Sequence, residues 1–500
     1  MAIAKRGRIM KQVFNPFLPL DEYIPDGEPH VFGDRIYLYG SHEEAGGDTF
    51  CSLDYVAYSA PVEDLTNWRN EGYIFKAKQN PHYSEELKYM YAPDCVCGND
   101  GRFYLYYCPA GYRGKNGYNN PIYVAVSDSP AGPCEYYGFV KNPDGSVFND
   151  YVTFDPAVLN DDGKIRLYYG TYMKSQDDNT LKNTAELYAK IAQSYKKSLA
   201  EVEAAEGYID GPCTVELEDD MLTVKGRAKR VLARRTEGTE YYDHAFYEAP
   251  SVRKIGDTYY FIYSSVKNNE LCYCTSTLPD GGFTYRGVII SNGDVGYKGR
   301  RDEDRLAYTG TNHGSIENIN GKWYVFYHRL THKRGYSRQA CAERIEILPD
   351  GSIPQVEITS CGLNGAPLIA EGRYSSAICC NLTNGRMPNA ANRISELDVP
   401  FIIQKDGMQF VTEIGNNTVI GFKYFNFTGK TLLYLTVRGG EGKFEVITDT
   451  TLQDEVLLLP SDEWHCVKAE IVFTGKAALY LKFSGEGKAE LGDIIFKSSI

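Results

Sequence analysis

Three carboxylate side chains, Asp26, Asp155 and Glu248, occupy corresponding places in a phrase that returns along the chain. The immediate neighbours of each are apolar, proline or glycine residues, and a carboxyl group in such surroundings keeps its proton more readily than one in water. One protonated and one ionised carboxyl group on opposite sides of a glycosidic bond are what sugar hydrolysis requires. If the three side chains meet in the folded chain, they provide acid–base chemistry suited to a sugar linkage.

The phrase that carries these acids recurs five times. Its anchor positions are 29, 93, 156, 250 and 315, four prolines and one serine, at spacings of 64, 63, 94 and 65 residues. Each copy passes through a Gly, Asp or Asn turn into an aromatic strand, such as Arg35–Tyr39 or Lys322–Tyr327. All-β units repeated in this way predict propeller blades, and the spacing exceeds the ~40–45 residues of WD-type repeats. We therefore expect an all-β chain with a five-bladed β-propeller over residues 14–350.

Four of the five copies continue into a second run of small and apolar residues. Tyr55–Pro61 is one example, and residues 187–194 are the corresponding run in the third copy. The alternation predicts an outer strand of each blade. The long spacing before the fourth copy indicates an insertion from Asn183 to Gly207, where Ala, Leu, Lys and Glu suggest a helix and a loop.

The strands of a propeller begin around one axis, so residues at the same place in each copy should converge. Asp26, Asp155 and Glu248 are therefore predicted to share one pocket despite their separation in sequence. His313 holds the fifth equivalent place. A single histidine is more often a hydrogen-bonded structural residue than a ligand, but on the axis it is also placed to contact a metal ion or ordered water. Asp94 is a fourth acid of the same ring.

The composition changes after about residue 355. Tyrosine becomes rarer, and Thr, Val, Leu and Lys alternate in candidate strands such as Val419–Phe425, Thr431–Val437 and Cys466–Phe473, separated by Gly-rich turns. This pattern predicts a β-sandwich of the jelly-roll type over residues 355–500. It also contains, in order, Phe422–Gly429, a turn at Gly439-Gly440, Trp464, Leu479–Phe483 and Ile494–Phe496. In this order of motifs the segment is similar to carbohydrate-binding module family 6. Because its aromatic residues lie in strand patterns, we expect it mainly to pack against the propeller, with weak or no independent sugar binding.

The bulk properties of the chain exclude some classes of function. The net charge is −13 without a stripe rich in Lys or Arg, which argues against a nucleic-acid partner. The chain has no run of 18 apolar residues that would predict a membrane-spanning helix. The basic N-terminal residues are not followed by the apolar segment that a secretory signal contains. We therefore expect a cytoplasmic protein, in which the 13 cysteines are mostly buried, reduced thiols. The sequence does not predict the oligomeric state.

Residues 14–350 resemble glycoside hydrolase family 43, whose members are five-bladed propellers that cleave sugar linkages with inversion. The resemblance implies that Asp26 is the general base, that Glu248 is the general acid, and that Asp155 tunes the pKa of the acid and orients it. The family's usual Asp-Pro is Asp26-Gly27 here, with Glu28 two residues on, so Glu28 is an alternative base. The motifs that carry the resemblance are Asp26 before the strand His30-Val31-Phe32, Tyr91-Ala92-Pro93-Asp94, Phe154-Asp155-Pro156, Tyr247-Glu248-Ala249-Pro250 and Asn312-His313-Gly314.

The same resemblance implies further site residues. His313 would lie beside a central calcium ion, completed mostly by water, and Arg338 would reach the sugar. Tyr91 and Phe154 have two open interpretations, contact with the sugar or packing in the core. The carboxyl groups of acid and base should lie ~6.5–9.5 Å apart to admit a water molecule.

The substrate implied by the resemblance is an oligosaccharide. The first hypothesis is release of α-L-arabinofuranosyl groups from arabinoxylan-type oligosaccharides, and the alternative is exo-β-1,4-xylosidase activity on xylo-oligosaccharides. A third hypothesis, from a different class, is a propeller that binds sugar without catalysis, which would require the acids to be lost or mispaired.

Overall fold

A computed structural model describes residues 11–115, 120–171, 198–204, 211–232, 238–389 and 397–498, together with the single residues 185, 188, 189 and 192 between them. The described chain is almost entirely β-structure, which confirms the predicted fold class. None of its helices is long and apolar enough to cross a membrane.

Five antiparallel sheets form the blades of the propeller, with their strands in sequence order from the axis outwards. The first four blades have four strands each and the fifth has three. The strands are β1 Glu28–Phe32, β2 Arg35–Tyr39, β3 Tyr55–Pro61 and β4 Arg69–Phe75; β5 Tyr89–Cys97, β6 Phe103–Ala110, β7 Tyr123–Ser127 and β8 Glu135–Phe139; β9 Ala157–Asp161, β10 Lys164–Tyr169, β11 Cys213–Leu217 and β12 Val224–Arg230; β13 Phe246–Ile255, β14 Thr258–Ser265, β15 Glu270–Ser276 and β16 Thr284–Ser291; β17 Ile316–Ile319, β18 Lys322–Leu330 and β19 Arg338–Ile345.

Local sequence explains the tight hairpins between the first two strands of the third and fifth blades. Asp162-Gly163 joins β9 to β10 and Asn320-Gly321 joins β17 to β18, and all four residues have positive φ, from 51° to 91°. Two successive residues of positive φ are what a two-residue hairpin turn requires, and Asn-Gly and Asp-Gly supply them at least cost. These turns set the register of the innermost strands, which begin at the axis.

Apolar clusters fill the space between each pair of neighbouring blades. The first and fifth blades share one of these clusters, in which Ile36 and Leu38 pack with Tyr324 and Phe326. The other four pairs of neighbours are joined in the same way. The ring is therefore closed by burial of apolar surface on both faces of every blade.

One predicted outer strand is wrong. Residues 188, 189 and 192 are helical, and the third strand of the third blade is β11, about 20 residues later. The predicted insertion, 183–207, lies largely outside the described residues, but a short helix, α1 Leu199–Ala204, lies within it. Alternation of small and apolar residues in 187–194 fits a helix face as well as a strand, which is why the pattern was misleading.

The C-terminal part of the chain forms one hydrogen-bonded network of ten strands around its own apolar core. Two of these strands are unusually long and pair with each other along most of their length, from Val419–Lys482 to Gly439–Ser461. The strands are β20 Leu368–Ile369, β21 Gly372–Ser375, β22 Asn381–Thr383, β23 Phe401–Lys405, β24 Met408–Ile414, β25 Val419–Gly439, β26 Gly442–Thr448, β27 Thr451–Leu458, β28 Ser461–Gly485 and β29 Ala489–Ser498.

Candidate active site

The innermost strands bring the predicted site residues to one end of the propeller axis. Asp26 and Asp155 each lie two residues before their strands β1 and β9, with φ of 57° and 47°. Glu248 lies within β13, where the register with β14 shifts on both sides of it and Ala249 has a φ of 63°. Positive φ at non-glycine residues and bulges in a strand both cost free energy, and both commonly occur where a side chain is aimed into an active site.

The carboxyl groups of Asp26 and Asp155 both face His313. The Nδ1 atom of His313 lies 3.8 Å from Oδ1 of Asp26 and 4.0 Å from Oδ2 of Asp155. The backbone N–H of Ala249, next to Glu248, donates a hydrogen bond of 3.1 Å to Oδ2 of Asp155. Residues from the first, third, fourth and fifth blades therefore meet in one cluster, and Asp155 is attached to the strand that carries Glu248.

Asp26 is buried and is held as a carboxylate. Burial alone would raise its pKa, but Arg338 and, more weakly, His313, His328 and a hydrogen bond from Ser41 lower the pKa to about 2. Arg338 donates from Nη1 to Oδ1 at 2.7 Å and from Nη2 to Oδ2 at 3.1 Å, a bidentate pair, and Ser41 donates to Oδ2 at 2.7 Å. Paired donors of this kind fix both the charge and the orientation of a carboxylate. Asp26 is therefore ionised throughout the neutral pH range.

The pKa of Asp155 is shifted in the opposite direction. Burial, followed by the negative charges of Glu248 and Asp26, raises its pKa well above the usual value for aspartate. Two neighbouring carboxyl groups with pKa values pushed apart are the arrangement from which separate acid and base roles arise. The effect of Glu248 on Asp155 also shows that these two side chains interact electrostatically.

Arg338 is enclosed by acids, a placement that differs from the sugar contact implied by the resemblance. It is 4% exposed. Besides its two bonds to Asp26, its Nε and Nη2 atoms donate to Oε1 of Glu43 at 3.0 and 2.6 Å. Glu43 also accepts from the backbone N–H groups of Cys51 and Arg338. Arg338 therefore acts on Asp26 directly, and its freedom to bind a sugar is small.

Sequence reasoning did not identify Ser41, Glu43 or His328. His328 lies in β18, and its Nδ1 accepts from the backbone N–H of Asp26 at 3.3 Å while its Nε2 donates to the carbonyl oxygen of Thr311 at 2.5 Å. These two contacts fix a neutral tautomer. Because none of the three residues belongs to the repeated phrase, only the blade geometry places them beside Asp26.

Both axial histidines are neutral at physiological pH. Burial is the main cause, and it lowers the pKa of His313 to about 4 and that of His328 to about 3. A calcium ion prefers six to eight oxygen ligands. Among the described residues, the acids nearest His313 are Asp26, which Arg338 already engages, and Asp155. The protein groups near His313 therefore supply few ligands for a calcium ion, and the predicted ion would depend on water for most of its ligands.

Glu28, the alternative base, lies apart from this cluster. It is 2% exposed, and its Oε2 atom accepts from Ser251 at 3.1 Å and from Arg253 at 3.2 Å. Burial, followed by the charge of Asp94, raises its pKa to about 8. A buried carboxyl group bonded to structural residues is poorly placed to activate a water molecule beside a sugar. The geometry favours Asp26 over Glu28 for the base.

The two predicted aromatic contacts are largely covered by protein. Tyr91 is 6% exposed and Phe154 is 3% exposed, and their rings pack 5.6 Å apart in an apolar cluster that also contains Tyr188. This placement favours core packing. Phe50, which the sequence did not indicate, is only half-buried. The centroid of its ring lies 6.4 Å from that of Tyr91 and 4.9 Å from the guanidinium group of Arg338. Phe50 is therefore a candidate for the wall of the pocket.

Comparison with known proteins gives results that agree with this geometry. The model for glycosyl hydrolases family 43 matches residues 15–215 and 209–353. A xylosidase/arabinosidase from Thermoclostridium stercorarium is 41% identical over 502 residues, which cover 96% of this chain and 98% of that protein. A xylosidase/arabinosidase from Bacteroides ovatus is 28% identical and covers 68% of this chain and 97% of that protein.

The fold of the propeller also has solved counterparts. One is the crystal structure of a family 43 beta-xylosidase/alpha-arabinofuranosidase from a compost microbial metagenome, in complex with xylotriose and in a calcium-free form. It matches with a TM-score of 0.50 and 27% identity, covering 67% of this chain and 94% of that chain.

Proposed function

Because the chain belongs to glycosyl hydrolase family 43, we propose that it removes α-L-arabinofuranosyl groups from arabinoxylan-type oligosaccharides with inversion at the anomeric carbon. Membership of the family, together with relatives named xylosidase/arabinosidase, makes the chain a glycoside hydrolase of that general type, acting on carbohydrate. The hypothesis of a sugar-binding propeller without catalysis is therefore set aside.

The proposed mechanism rests on one observation: Asp26, Asp155 and the strand that contains Glu248 meet at one end of the axis. Asp26, ionised by its pairing with Arg338, accepts a proton from a water molecule and directs that water at the anomeric carbon. Glu248 donates a proton to the leaving oxygen on the other side of the sugar. An inverting enzyme requires both events in one step, with a water molecule between the carboxylate and the sugar.

Asp155 supports the acid rather than touching the reacting atoms. Its negative charge, when present, disfavours ionisation of Glu248, as like charges in a buried site do. Its hydrogen bond from the N–H of Ala249 holds the backbone beside Glu248. We therefore assign Asp155 to the tuning and orientation of Glu248.

The alternative activity, exo-β-1,4-xylosidase, is kept because the relative that aligns along nearly the whole chain is named for both activities. The test compares aryl α-L-arabinofuranoside and aryl β-D-xyloside at equal enzyme concentration. We expect the larger kcat/KM on the arabinofuranoside. A larger value on the xyloside would establish the alternative, and hydrolysis of neither would contradict both.

For residues 355–500 we propose packing against the propeller as the main role. The family match ends at residue 353, so the likeness to carbohydrate-binding module family 6 rests on sequence alone. Aromatic side chains of this part contact other protein side chains. The ring centroid of Trp464 lies 5.4 Å from that of Phe410 and 4.5 Å from the guanidinium group of Arg438. Tyr424 donates to Glu357 at 2.5 Å and lies 4.0 Å from the Lys476 ammonium. Xylan binding that survives saturation of the active site would contradict this proposal.

A calcium ion beside His313 stays part of the proposal, in a structural role. Its test is exhaustive chelation followed by measurement of rate and melting temperature, for which a modest decrease in either is expected. An unchanged rate and melting temperature in a protein shown to be free of calcium would remove the ion from the account while leaving the acids in place.

A further inference from the structure

A cavity lies on the propeller axis, at the end away from the three acids. It has a volume of about 370 Å³. All five innermost strands contribute to its wall, each with residues further along the strand than the catalytic position, among them His30, Val96, Val158, Arg253 and Glu317. The cavity therefore lies where the five innermost strands converge, further along them than the catalytic positions.

Three side chains with metal-binding atoms meet beside this cavity, and one of them, His30, lines its wall. The ligand atoms of Glu28, His30 and Asp94, here called the lower cluster, all lie within 4.8 Å of one another. Nε2 of His30 is 2.6 Å from Oδ1 of Asp94. Glu28 and Asp94 are 2% and 1% exposed, and the side chain of His30 is 15% exposed towards solvent. One nitrogen and two carboxylate donors could surround a cation if the ion replaced the hydrogen bond between His30 and Asp94. Oδ1 of Asp94 also accepts from the backbone N–H of Cys95 at 2.7 Å.

One atom of the lower cluster lacks a partner. Oε1 of Glu28 is buried, and among the described residues it has no hydrogen-bond partner, whereas Oε2 accepts from Ser251 and Arg253. A buried carboxylate oxygen without a partner is costly, and such atoms in native proteins call for an unseen water, proton or ion. The free oxygen belongs to the same three residues whose donors converge, which is an independent indication of a ligand there.

The surrounding charges permit a cation. Glu28, Asp94 and Glu317 are acidic, and Arg253 is the basic residue among them. Arg253 lies 3.2 Å from Oε2 of Glu28 and 3.4 Å from Oε2 of Glu317, so its charge is shared between two acids. Because the pKa of Glu28 is raised to about 8, a divalent cation at Oε1 would replace a proton at neutral pH.

We propose that the lower cluster binds one divalent cation that accepts mixed nitrogen and oxygen ligands, of the Mn²⁺ type, through Oε1 of Glu28, Oδ1 of Asp94 and Nε2 of His30. Carboxylates and water suit Mn²⁺ and an imidazole is compatible with it, whereas Ca²⁺ prefers oxygen alone. Water from the cavity completes the coordination. The ion links the first blade to the second, two residues from Asp26, and so it stabilises closure of the ring beneath the active site.

A second group of side chains with metal-binding atoms provides a control for the binding experiment. His244, Glu270 and Cys272 also place a ligand atom each within 4.8 Å of one another. There, Oε1 of Glu270 already accepts from His244 and Ser265, each at 2.6 Å. Because a thiol and an imidazole attract softer metals, Zn²⁺ is avoided and Mn²⁺ is the probe.

The experiment measures Mn²⁺ binding to the full-length chain after chelation and dialysis, by loss of the electron paramagnetic resonance signal of free Mn²⁺. We expect one equivalent bound by the wild type and by the controls Glu317→Gln and His244→Gln. Both Glu28→Gln and His30→Phe should bind at least about 10-fold more weakly, as for loss of a metal ligand. Mn²⁺ should raise the melting temperature of the wild type and of the two controls only.

The outcomes separate clearly. Absence of binding by the wild type at millimolar Mn²⁺ would overturn the proposal and leave a proton or water as the partner of Glu28. Equal affinity in Glu28→Gln and His30→Phe, or loss of binding in His244→Gln, would place the ion elsewhere. If Glu28→Gln fails to fold, His30→Phe decides alone, since it changes the most exposed member and keeps an aromatic ring against Phe32. The binding readout is independent of the sugar hydrolysed.

Discussion

At the scale of single residues, the charge of Asp26 depends on Arg338. Burial raises the pKa of a carboxyl group, and here the bidentate guanidinium reverses that effect and holds the pKa at about 2. A general base must be ionised to accept a proton, so the active form is present above this pKa and is lost as the pH falls through it. The neutral histidines 313 and 328 leave Arg338 as the main positive charge on Asp26.

Arg338→Met should raise the pKa of Asp26, because burial then acts without its main opposing charge. The acid limb of the kcat/KM profile should move up by at least about one pH unit, and the rate at neutral pH should fall. The pH dependence of kcat/KM measures this. Arg344→Met is the control, since Arg344 lies exposed on the same strand. An acid limb that stays in place in Arg338→Met would mean that Asp26 is not the base.

Glu248→Gln should lower turnover of natural oligosaccharides at least ~10²-fold, because the leaving oxygen receives no proton. Aryl glycosides with good leaving groups need less protonation, so their rates should fall much less. A series of aryl leaving groups, with the same series on Glu463→Gln as a surface control, measures the difference. Equal losses across the series would contradict the role of acid.

Much of the candidate site could be predicted because the repeated phrase marks the start of each innermost strand. Asp26, Asp155 and His313 are brought together as the repeat implied. Ser41, Glu43 and His328 could not be predicted, since they come from a loop and from β18, outside the phrase. A single sequence shows which residues begin strands, but not which loops fold back over them.

At the scale of elements, the fifth blade has an unusually close contact beside His313. A Cβ atom on Gly314 would lie 1.9 Å from the carbonyl oxygen of Phe326 in β18, a backbone atom that cannot move aside alone. Gly314→Ala should therefore destabilise the protein by about 1–3 kcal/mol and lower activity through His313. Thermal unfolding and kcat/KM measure both.

The matched control for this prediction is Gly281→Ala. A Cβ at Gly281 meets nothing within 4 Å, so alanine there should be neutral or slightly stabilising. If the two variants have the same melting temperature, the contact between Gly314 and β18 does not constrain the blade.

The blade strands could be predicted closely, whereas the C-terminal strands could not. The predicted aromatic strand Arg35–Tyr39 and outer strand Tyr55–Pro61 have the same bounds in β2 and β3. By contrast, β25 joins two predicted strands, Val419–Phe425 and Thr431–Val437, and β28 extends beyond the predicted strand Cys466–Phe473 at both ends. Gly429 and Gly475, which indicated turns, have positive φ but lie inside these paired strands, where they allow the backbone to bend without ending the ladder.

At the scale of the whole molecule, a buried ion pair joins the C-terminal sheet to the propeller. Nζ of Lys423 in β25 lies 2.9 Å from Oδ2 of Asp294, after the fourth blade, and 3.0 Å from Oε1 of Glu357. The side chains of Lys423 and Asp294 are 2% and 1% exposed. Removing one partner of such a pair leaves an uncompensated buried charge.

Lys423→Met should therefore destabilise the protein by about 3–5 kcal/mol. Lys430→Met is the control on the same strand, because its pair with Glu470 is about half exposed, and it should cost less than about 1 kcal/mol. Chemical denaturation measures both. If Lys423→Met separates one unfolding transition into two, the pair also couples the two parts; a change no larger than in Lys430→Met would contradict its importance.

The central claim is that Asp26 and Glu248 hydrolyse a sugar linkage with a water molecule as the nucleophile. Proton NMR of the first sugar released by the full-length enzyme, recorded before mutarotation, tests it most directly. With an aryl α-L-arabinofuranoside the account predicts β-L-arabinofuranose, the inverted anomer, because water attacks from the face opposite the leaving group. Release of the retained α-anomer would contradict the account, since it would require a carboxylate to form a covalent bond with the sugar.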